Sequence, residues 1–105
     1  MNTIVSSWQI VSIVEEEMLI GEVLWGIVVD DPTCRFAKED YVCTSQIMES
    51  NLDINLIKTA SGNLYQLFGN GKRATINYDD FELLRQGFSP EQITQLNLAP
   101  SGVFH

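Results

Sequence analysis

The sequence predicts an α+β domain: a curled, mostly antiparallel sheet or small barrel of about five or six strands, with one or two helices at its C-terminal end. Segments rich in β-branched and aromatic residues recur between turn signals from residue 8 to residue 76. From residue 79 the apolar pattern changes to a helical period. The 105 residues have the length of a single domain, with residues 100–105 expected to form a loose tail.

The first two strands are predicted at residues 8–14 and 22–29. The apolar residues of the first segment also fit one face of a helix, so strand and helix both remain open for residues 8–14. Residues 22–29 are apolar on both faces, which is typical of a central strand. Gly26 within this strand indicates a bulge or the close approach of another backbone.

The middle of the chain predicts a run of short strands. They are expected at residues 41–48, 52–59, 63–68 and 73–76, with turns at residues 49–51, 61–62 and 69–72. Leu52, Ile54 and Leu56 alternate with polar residues, so residues 52–59 are expected to be a half-buried strand. Residues 61–62 are expected to join it to residues 63–68 as a hairpin.

Two helices are predicted at the C-terminal end. Residues 79–86 begin with acidic residues and are followed by Gly87, which fits the position just after a helix end. Ser89 then serves as N-cap of a second helix, with Pro90 in its first turn and Gln92 completing a capping box. The residues expected to cover one end of the sheet are Phe81, Leu84, Ile93 and Leu96.

The charge balance argues against two classes of partner. Fourteen acidic residues against six basic ones give a net charge of −8. Nucleic acids are bound through Lys and Arg, and anionic membrane surfaces also repel an acidic chain. The longest apolar stretch, residues 18–29, is too short and too interrupted to span a bilayer. We therefore expect a soluble protein without a nucleic-acid or membrane partner.

The cysteine and histidine content argues against metal and nucleophile chemistry. Cys34 and Cys43 form no close pair, and His105 is the only histidine, so a four-ligand zinc site is not expected. A catalytic Ser or Cys would also lack its usual base. No cofactor is predicted, and the first fourteen residues do not resemble a signal peptide. We expect reduced cysteines in a cytoplasmic protein; whether the two lie near each other stays open.

Four residues form the candidate ligand site. Asp31 and Arg35 follow a buried strand, where loops commonly carry function, and Thr44 and Ser45 present hydroxyls on the third strand. The structural alternative is a turn containing an Asp–Arg pair and a strand with a polar face.

Glu15, Glu16 and Glu17 form the candidate partner-binding site. Three consecutive carboxylates between two strands are typical of a solvated turn, and they also suit contact with a basic protein surface.

Several segments resemble a family of short uncharacterised bacterial proteins found on mobile elements, among them integron gene cassettes and prophages. They are residues 24–31 (LWGIVVDD), 59–67 (TASGNLYQL) and 84–90 (LRQGFSP), with Arg35-Phe36 and Thr44-Ser45. The resemblance extends from Trp8 to Ile93. It implies an accessory, adaptive or defence-related role and assigns no activity to any residue.

These observations predict a non-catalytic accessory protein that acts through protein–protein interaction, as a monomer or a homodimer. The partner's identity is open, and a basic protein is one candidate. The alternative is a small-ligand-binding domain, with a pocket between the sheet and the C-terminal helices near Arg35 and Thr44. An enzyme is the third hypothesis.

Overall fold

The computed structural model describes residues 2–32 and 36–98. Its strands are β1 (Thr3–Glu15), β2 (Met18–Asp30), β3 (Tyr41–Asn51), β4 (Leu56–Thr59), β5 (Leu64–Leu67) and β6 (Lys72–Asn77). A single 3₁₀ turn, Tyr78–Asp80, leads into the helices α1 (Phe81–Arg85) and α2 (Pro90–Leu98). Residues 8–14 are therefore strand, which settles the strand–helix ambiguity of that segment. None of the described helices has the length and apolar character needed to cross a membrane.

The six strands form one mixed sheet that curls into a ring, as the sequence predicts. β1 to β5 pair in chain order as antiparallel neighbours, and β5 then pairs with β1 in parallel. An odd-numbered meander must close with a parallel pair, because its alternating directions leave the first and last strands pointing the same way. β6 also runs parallel to β1, beyond β5 along the same edge.

A bulge in β1 marks the point where that strand changes partner. Residues 3–5 of β1 pair with β5 and residues 9–14 pair with β6, and the register with β2 shifts between Ser6 and Gln9. Ser7, at φ 49°, has a left-handed backbone inside this bulge. Opposite it lies Gly26, where a Cβ would stand 3.3 Å from the carbonyl oxygen of Ser6. The close backbone approach predicted at Gly26 is confirmed.

Two hydrophobic clusters lie on opposite faces of β1 and β2. The inner cluster, inside the ring, consists of Val5, Ile10, Leu24, Val28, Val42, Ile57, Tyr65 and Leu67. The outer cluster, between the sheet and the helices, consists of Val11, Ile13, Val23, Trp25, Ile76, Leu84 and Ile93. Successive residues of a strand face opposite sides, so β1 and β2 supply both clusters and are buried on both faces.

The predicted positions of the turn and the strand within residues 49–55 are wrong. Residues 49–51 belong to β3, and the turn lies at residues 52–55. The Oδ1 atom of Asn51 accepts the backbone N–H of Asp53 at 3.1 Å, and Asn55 takes φ 54°. Leu52 and Ile54 are 44% and 57% exposed. The hydrogen bond from the Asn51 side chain stabilises a turn at this point. Leu52 and Ile54 are exposed, so no burial of apolar side chains favours a strand instead.

The segment at residues 69–72 does not make a hairpin. β5 and β6 pair with β1 rather than with each other, so residues 68–71 carry the chain onward along the same edge. The indole Nε1 of Trp8 donates to the carbonyl of Gly69 at 3.2 Å. Its ring lies where a Cβ on Gly71 would be, so this linker requires glycine there. By contrast, the predicted hairpin of residues 52–68 is confirmed for β4 and β5.

The predicted end of the first helix at Gly87 and the predicted N-cap of the second helix at Ser89 are confirmed. The N–H groups of Gly87 and Phe88 donate to the carbonyls of Leu84 and Leu83, each at 3.1 Å, which is a Schellman ending with Gly87 at φ 110°. The backbone N–H of Ser89 donates to Gln92 Oε1 at 2.8 Å, and the N–H of Gln92 donates to Ser89 Oγ at 3.2 Å. This reciprocal pair is a capping box. The tail predicted at residues 100–105 lies outside the described residues.

Candidate functional site

A groove of about 450 Å³ separates the outer face of β2 and β3 from the 3₁₀ turn and α1. We call it the helix-side groove. Its lining includes Ile20, Gly21 and Glu22 from β2, Cys43, Thr44 and Ser45 from β3, and Tyr78, Phe81 and Arg85 from the helical segment. The sequence-based alternative placed a pocket between the sheet and the C-terminal helices, and the groove lies in that position.

The two predicted hydroxyls of the groove already have structural partners. Thr44 is buried, and its Oγ1 accepts the backbone N–H of Leu24 at 3.0 Å and donates to the carbonyl of Ser45 at 2.7 Å. The Oγ of Ser45 accepts the N–H of Ser61 at 3.2 Å. Thr44 therefore ties β3 to β2, while Ser45 fastens the β4–β5 turn to β3 and remains exposed.

Cys43 lies in the groove between Thr44 and the helical side. Burial raises the pKa of its thiol to about 11, and the nearby Arg85 guanidinium partly opposes the rise. The thiol is therefore mostly protonated at physiological pH, which lowers its reactivity as a nucleophile. Among residues 2–32 and 36–98, no group of His, Cys, Asp and Glu side chains is arranged to hold a metal ion.

Arg85 is the cationic side chain of the groove. It extends from the last turn of α1, 5.9 Å from the centroid of the Phe81 ring, and its Nη1 is 3.6 Å from a carboxylate oxygen of Glu82. The hydroxyl of Tyr41 donates to the Arg85 carbonyl at 2.7 Å and joins the end of α1 to β3. In the sequence this arginine only complements the helix dipole, because nothing local indicates that α1 packs beside β3.

Of the predicted ligand residues that the structure describes, Asp31 lies apart from Thr44 and Ser45. Asp31 is buried away from the groove lining, and its carboxylate accepts the Thr3 hydroxyl and the backbone N–H of Phe36, each at 2.9 Å. It thereby ties the beginning of β1 to the connection between β2 and β3. Arg35 lies outside the described residues, as does Cys34.

The first residues of β2, directly after the acidic turn between β1 and β2, are apolar and exposed. Glu16 and Glu17 take φ 51° and 68°, and Glu15 pairs with Met18, which is the geometry of a two-residue type I′ hairpin turn. Met18, Leu19 and Ile20 follow and are 70%, 60% and 48% exposed. We call residues 15–20 the hairpin tip.

The hairpin tip adjoins the groove along an open strand edge. β2 pairs with β3 from Val23 to Ile27, so within the described part of the chain residues 18–22 pair with β1 alone. Ile20 belongs both to the tip and to the groove lining. Glu22 accepts the Ser12 hydroxyl at 3.1 Å and lies 3.5 Å from the Arg73 guanidinium. The result is an apolar edge beside acidic side chains, continuous with a groove.

Comparison with protein-family models, curated proteins and solved structures finds no match for this chain. The arrangement of its own residues is therefore the basis for a functional proposal.

Proposed function

We propose that this chain is a non-catalytic accessory protein that binds a protein partner through the hairpin tip and the adjoining groove. The observation that carries the proposal is the run Met18, Leu19 and Ile20, three consecutive apolar side chains each about half exposed or more. Large exposed apolar clusters rimmed by polar residues mark interaction sites in soluble proteins. Here Glu15, Glu16 and Glu17 form the polar rim.

An extended segment of the partner suits the open edge of β2. Unpaired strand edges accept additional strands through main-chain hydrogen bonds, and neighbouring pockets then take alternate side chains. Residues 18–22 supply such an edge, and the helix-side groove of about 450 Å³ begins at Ile20. One apolar side chain of an added strand is expected to enter this groove between Ile20 and Phe81.

Charge favours a basic partner over a second copy of the chain. The protein carries a net charge of −8, and three glutamates stand at the tip itself. Two tips facing each other would place like charges together, whereas Lys or Arg side chains on the partner would be attracted. An accessory role in bacterial adaptation or defence, as the resemblance to mobile-element proteins implies, is part of the same proposal.

The proposal is tested by affinity capture from a host lysate with the parent protein and with Leu19→Lys. The substitution places a positive charge at the tip and removes apolar contact. Phe68→Lys is the matched control, because Phe68 is 63% exposed and lies after β5 rather than on the tip. A basic partner should be retained by the parent and the control, lost with Leu19→Lys, and released by raised salt.

Equal retention by both lysine variants would contradict the proposal, as would the absence of any salt-sensitive partner. Backbone amide NMR spectra of the parent with the purified partner should place the perturbed residues within 15–22.

A further inference from the structure

A second cavity, of about 360 Å³, lies on the same face of the sheet but at the beginning of α2. It is lined in part by Trp8, Gln9, Trp25, Lys72, Ser89 and Glu91, and we call it the indole cavity. Its size is within the range of small-molecule sites. It also lies between the sheet and a C-terminal helix, but Thr44, near which the sequence-based alternative placed its ligand pocket, is not part of its lining.

Two residues that line this cavity each have one buried polar atom without a hydrogen-bond partner in the described part of the protein. These atoms are Oε1 of Gln9 and Nε1 of Trp25, on side chains that are 5% and 7% exposed. Gln9 and Trp25 are directly opposite each other in the β1–β2 register, so both side chains project from the same face of the sheet. One atom is an acceptor and the other is a donor. Leaving either unpaired is unfavourable in a buried environment.

The orientation of the Gln9 amide is fixed by Glu91. The Nε2 atom of Gln9 donates to Oε1 of Glu91 at 2.8 Å. A carboxylate only accepts hydrogen bonds, so the amide nitrogen must face it and the amide oxygen must point elsewhere. This hydrogen bond, with the nearby Lys72, lowers the pKa of Glu91 and keeps the carboxylate ionised.

The rim of the cavity carries one positive and one negative side chain, which form an ion pair. The Nζ of Lys72 is 3.6 Å from Oε2 of Glu91, and both side chains are largely exposed. A charged ligand would compete with this pair, whereas a neutral ligand leaves it intact. Trp8 and Trp25 add two indole surfaces to the lining, which suit a flat ligand.

We propose that the indole cavity binds a small, uncharged, planar molecule with an amide-type edge. Its binding uncovers the two buried atoms, so that its carbonyl oxygen accepts the indole N–H of Trp25 and its N–H donates to Oε1 of Gln9. A primary aromatic carboxamide and a nucleobase with adjacent N–H and C=O groups share this chemistry. The site is separate from the hairpin tip and does not depend on the partner proposed there.

The test uses benzamide and uracil as probes, with methyl benzoate and 1,3-dimethyluracil as matched controls that lack the N–H. The indole N–H resonances of the two tryptophans are followed by NMR and assigned with Trp25→Phe. Benzamide or uracil should shift the Trp25 resonance in a saturable way, and the blocked analogues should bind at least about tenfold more weakly, because they leave Oε1 of Gln9 unpaired. If benzamide binds more tightly, the ligand is an aromatic carboxamide; if uracil does, it is a nucleobase.

Gln9→Met removes the amide at nearly constant side-chain length and should weaken binding about tenfold. Gln46→Met, at an exposed position on β3, is the control and should bind like the parent. Thermal melts of both variants establish that they fold. The proposal is overturned if no probe shifts the Trp25 resonance, if blocked and unblocked probes bind equally, or if a bound water alone joins the two side chains when the probe is present.

Discussion

The inner and outer clusters are made by the same two strands yet differ in what encloses them. The inner cluster is enclosed by a sheet ring in which every neighbouring strand is hydrogen-bonded. The outer cluster is covered by helices of only five and nine residues. The helix-side groove, the indole cavity, the thiol of Cys43 and the side chains of Gln9 and Trp25 lie on the outer side.

We expect this difference to separate effects on stability from effects on the proposed binding. A ring of hydrogen-bonded strands encloses the inner cluster on all sides of the ring. Short helices cover a sheet incompletely, so polar and titratable side chains remain beside them within reach of a ligand. We therefore expect substitutions in the inner cluster to act on global stability, and those in the outer layer to act on binding and reactivity as well.

The largest expected effect comes from deleting a fully buried leucine in each cluster. Leu24 and Leu84 are both 0% exposed. Leucine-to-alanine substitutions in cores cost about 2–5 kcal/mol, depending on how far the surroundings collapse. We expect Leu24→Ala to lie near the upper end, because the ring cannot contract, and Leu84→Ala near the lower end, because α1 can settle toward the sheet. Urea denaturation measures both, and equal or reversed costs would contradict the comparison.

The sequence predicts this architecture where the deciding interactions are local. The ending at Gly87 and the capping box of Ser89 and Gln92 involve hydrogen bonds between residues no more than five positions apart. Such bonds leave a signature in a short window. The strands are also predicted from local signals, since β-branched residues and flanking turns mark them. Their predicted ends differ from the observed ones.

What the sequence does not predict depends on distant pairing. The ring closes through Thr3 and Tyr65, which are far apart in the chain, and no local pattern marks them as neighbours. Arg85 joins the groove because α1 packs beside β3, and Gln9 reaches Glu91 across most of the chain. The prediction of a strand at residues 52–55 was wrong because an alternating apolar pattern does not specify what covers the strand's apolar face.

A second contrast concerns the chemistry of the outer layer, where the thiol of Cys43 is expected to react slowly. With its pKa at about 11 against about 8.5 for a free cysteine, the thiolate fraction at neutral pH falls by roughly a hundredfold or more. Alkylation rates in a Cys34→Ser background should keep rising beyond pH 9. The urea-unfolded chain is the reference, and a plateau near pH 8.5 in the folded protein would contradict this prediction.

The raised pKa of Cys43 also makes the free energy of unfolding depend on pH. The folded state holds its proton more tightly than the unfolded state, so this contribution is fully present below about pH 8.5 and is lost as the pH rises towards 11. Arg85→Gln removes the positive charge that lowers the pKa, so its alkylation profile should move further to high pH.

Gly87 tests how the helices are attached to the ring. A Cβ there would stand 2.9 Å from the Tyr41 ring, and the φ of 110° is strained for any other residue. We expect Gly87→Ala to lower the free energy of unfolding by about 1–3 kcal/mol. Gly62→Ala is the control for backbone strain alone, since Gly62 has φ 87° and open space around its Cβ position. Equal losses in the two variants would show that the contact with Tyr41 adds nothing.

The smallest expected effect is at the beginning of α2, which presents Ile93 to the outer cluster. Ser89→Ala removes one acceptor of the capping box and should cost about 1 kcal/mol, or about 4–8 °C in Tm. Gln92→Ala removes the reciprocal hydrogen bond, and the double variant should cost less than the sum, because each single change already disturbs the same turn. Ser50→Ala, on the exposed face of β3, should melt like the parent. Strict additivity in this cycle would mean that the two hydrogen bonds act independently, and that α2 is held in place by the burial of Ile93 more than by its cap.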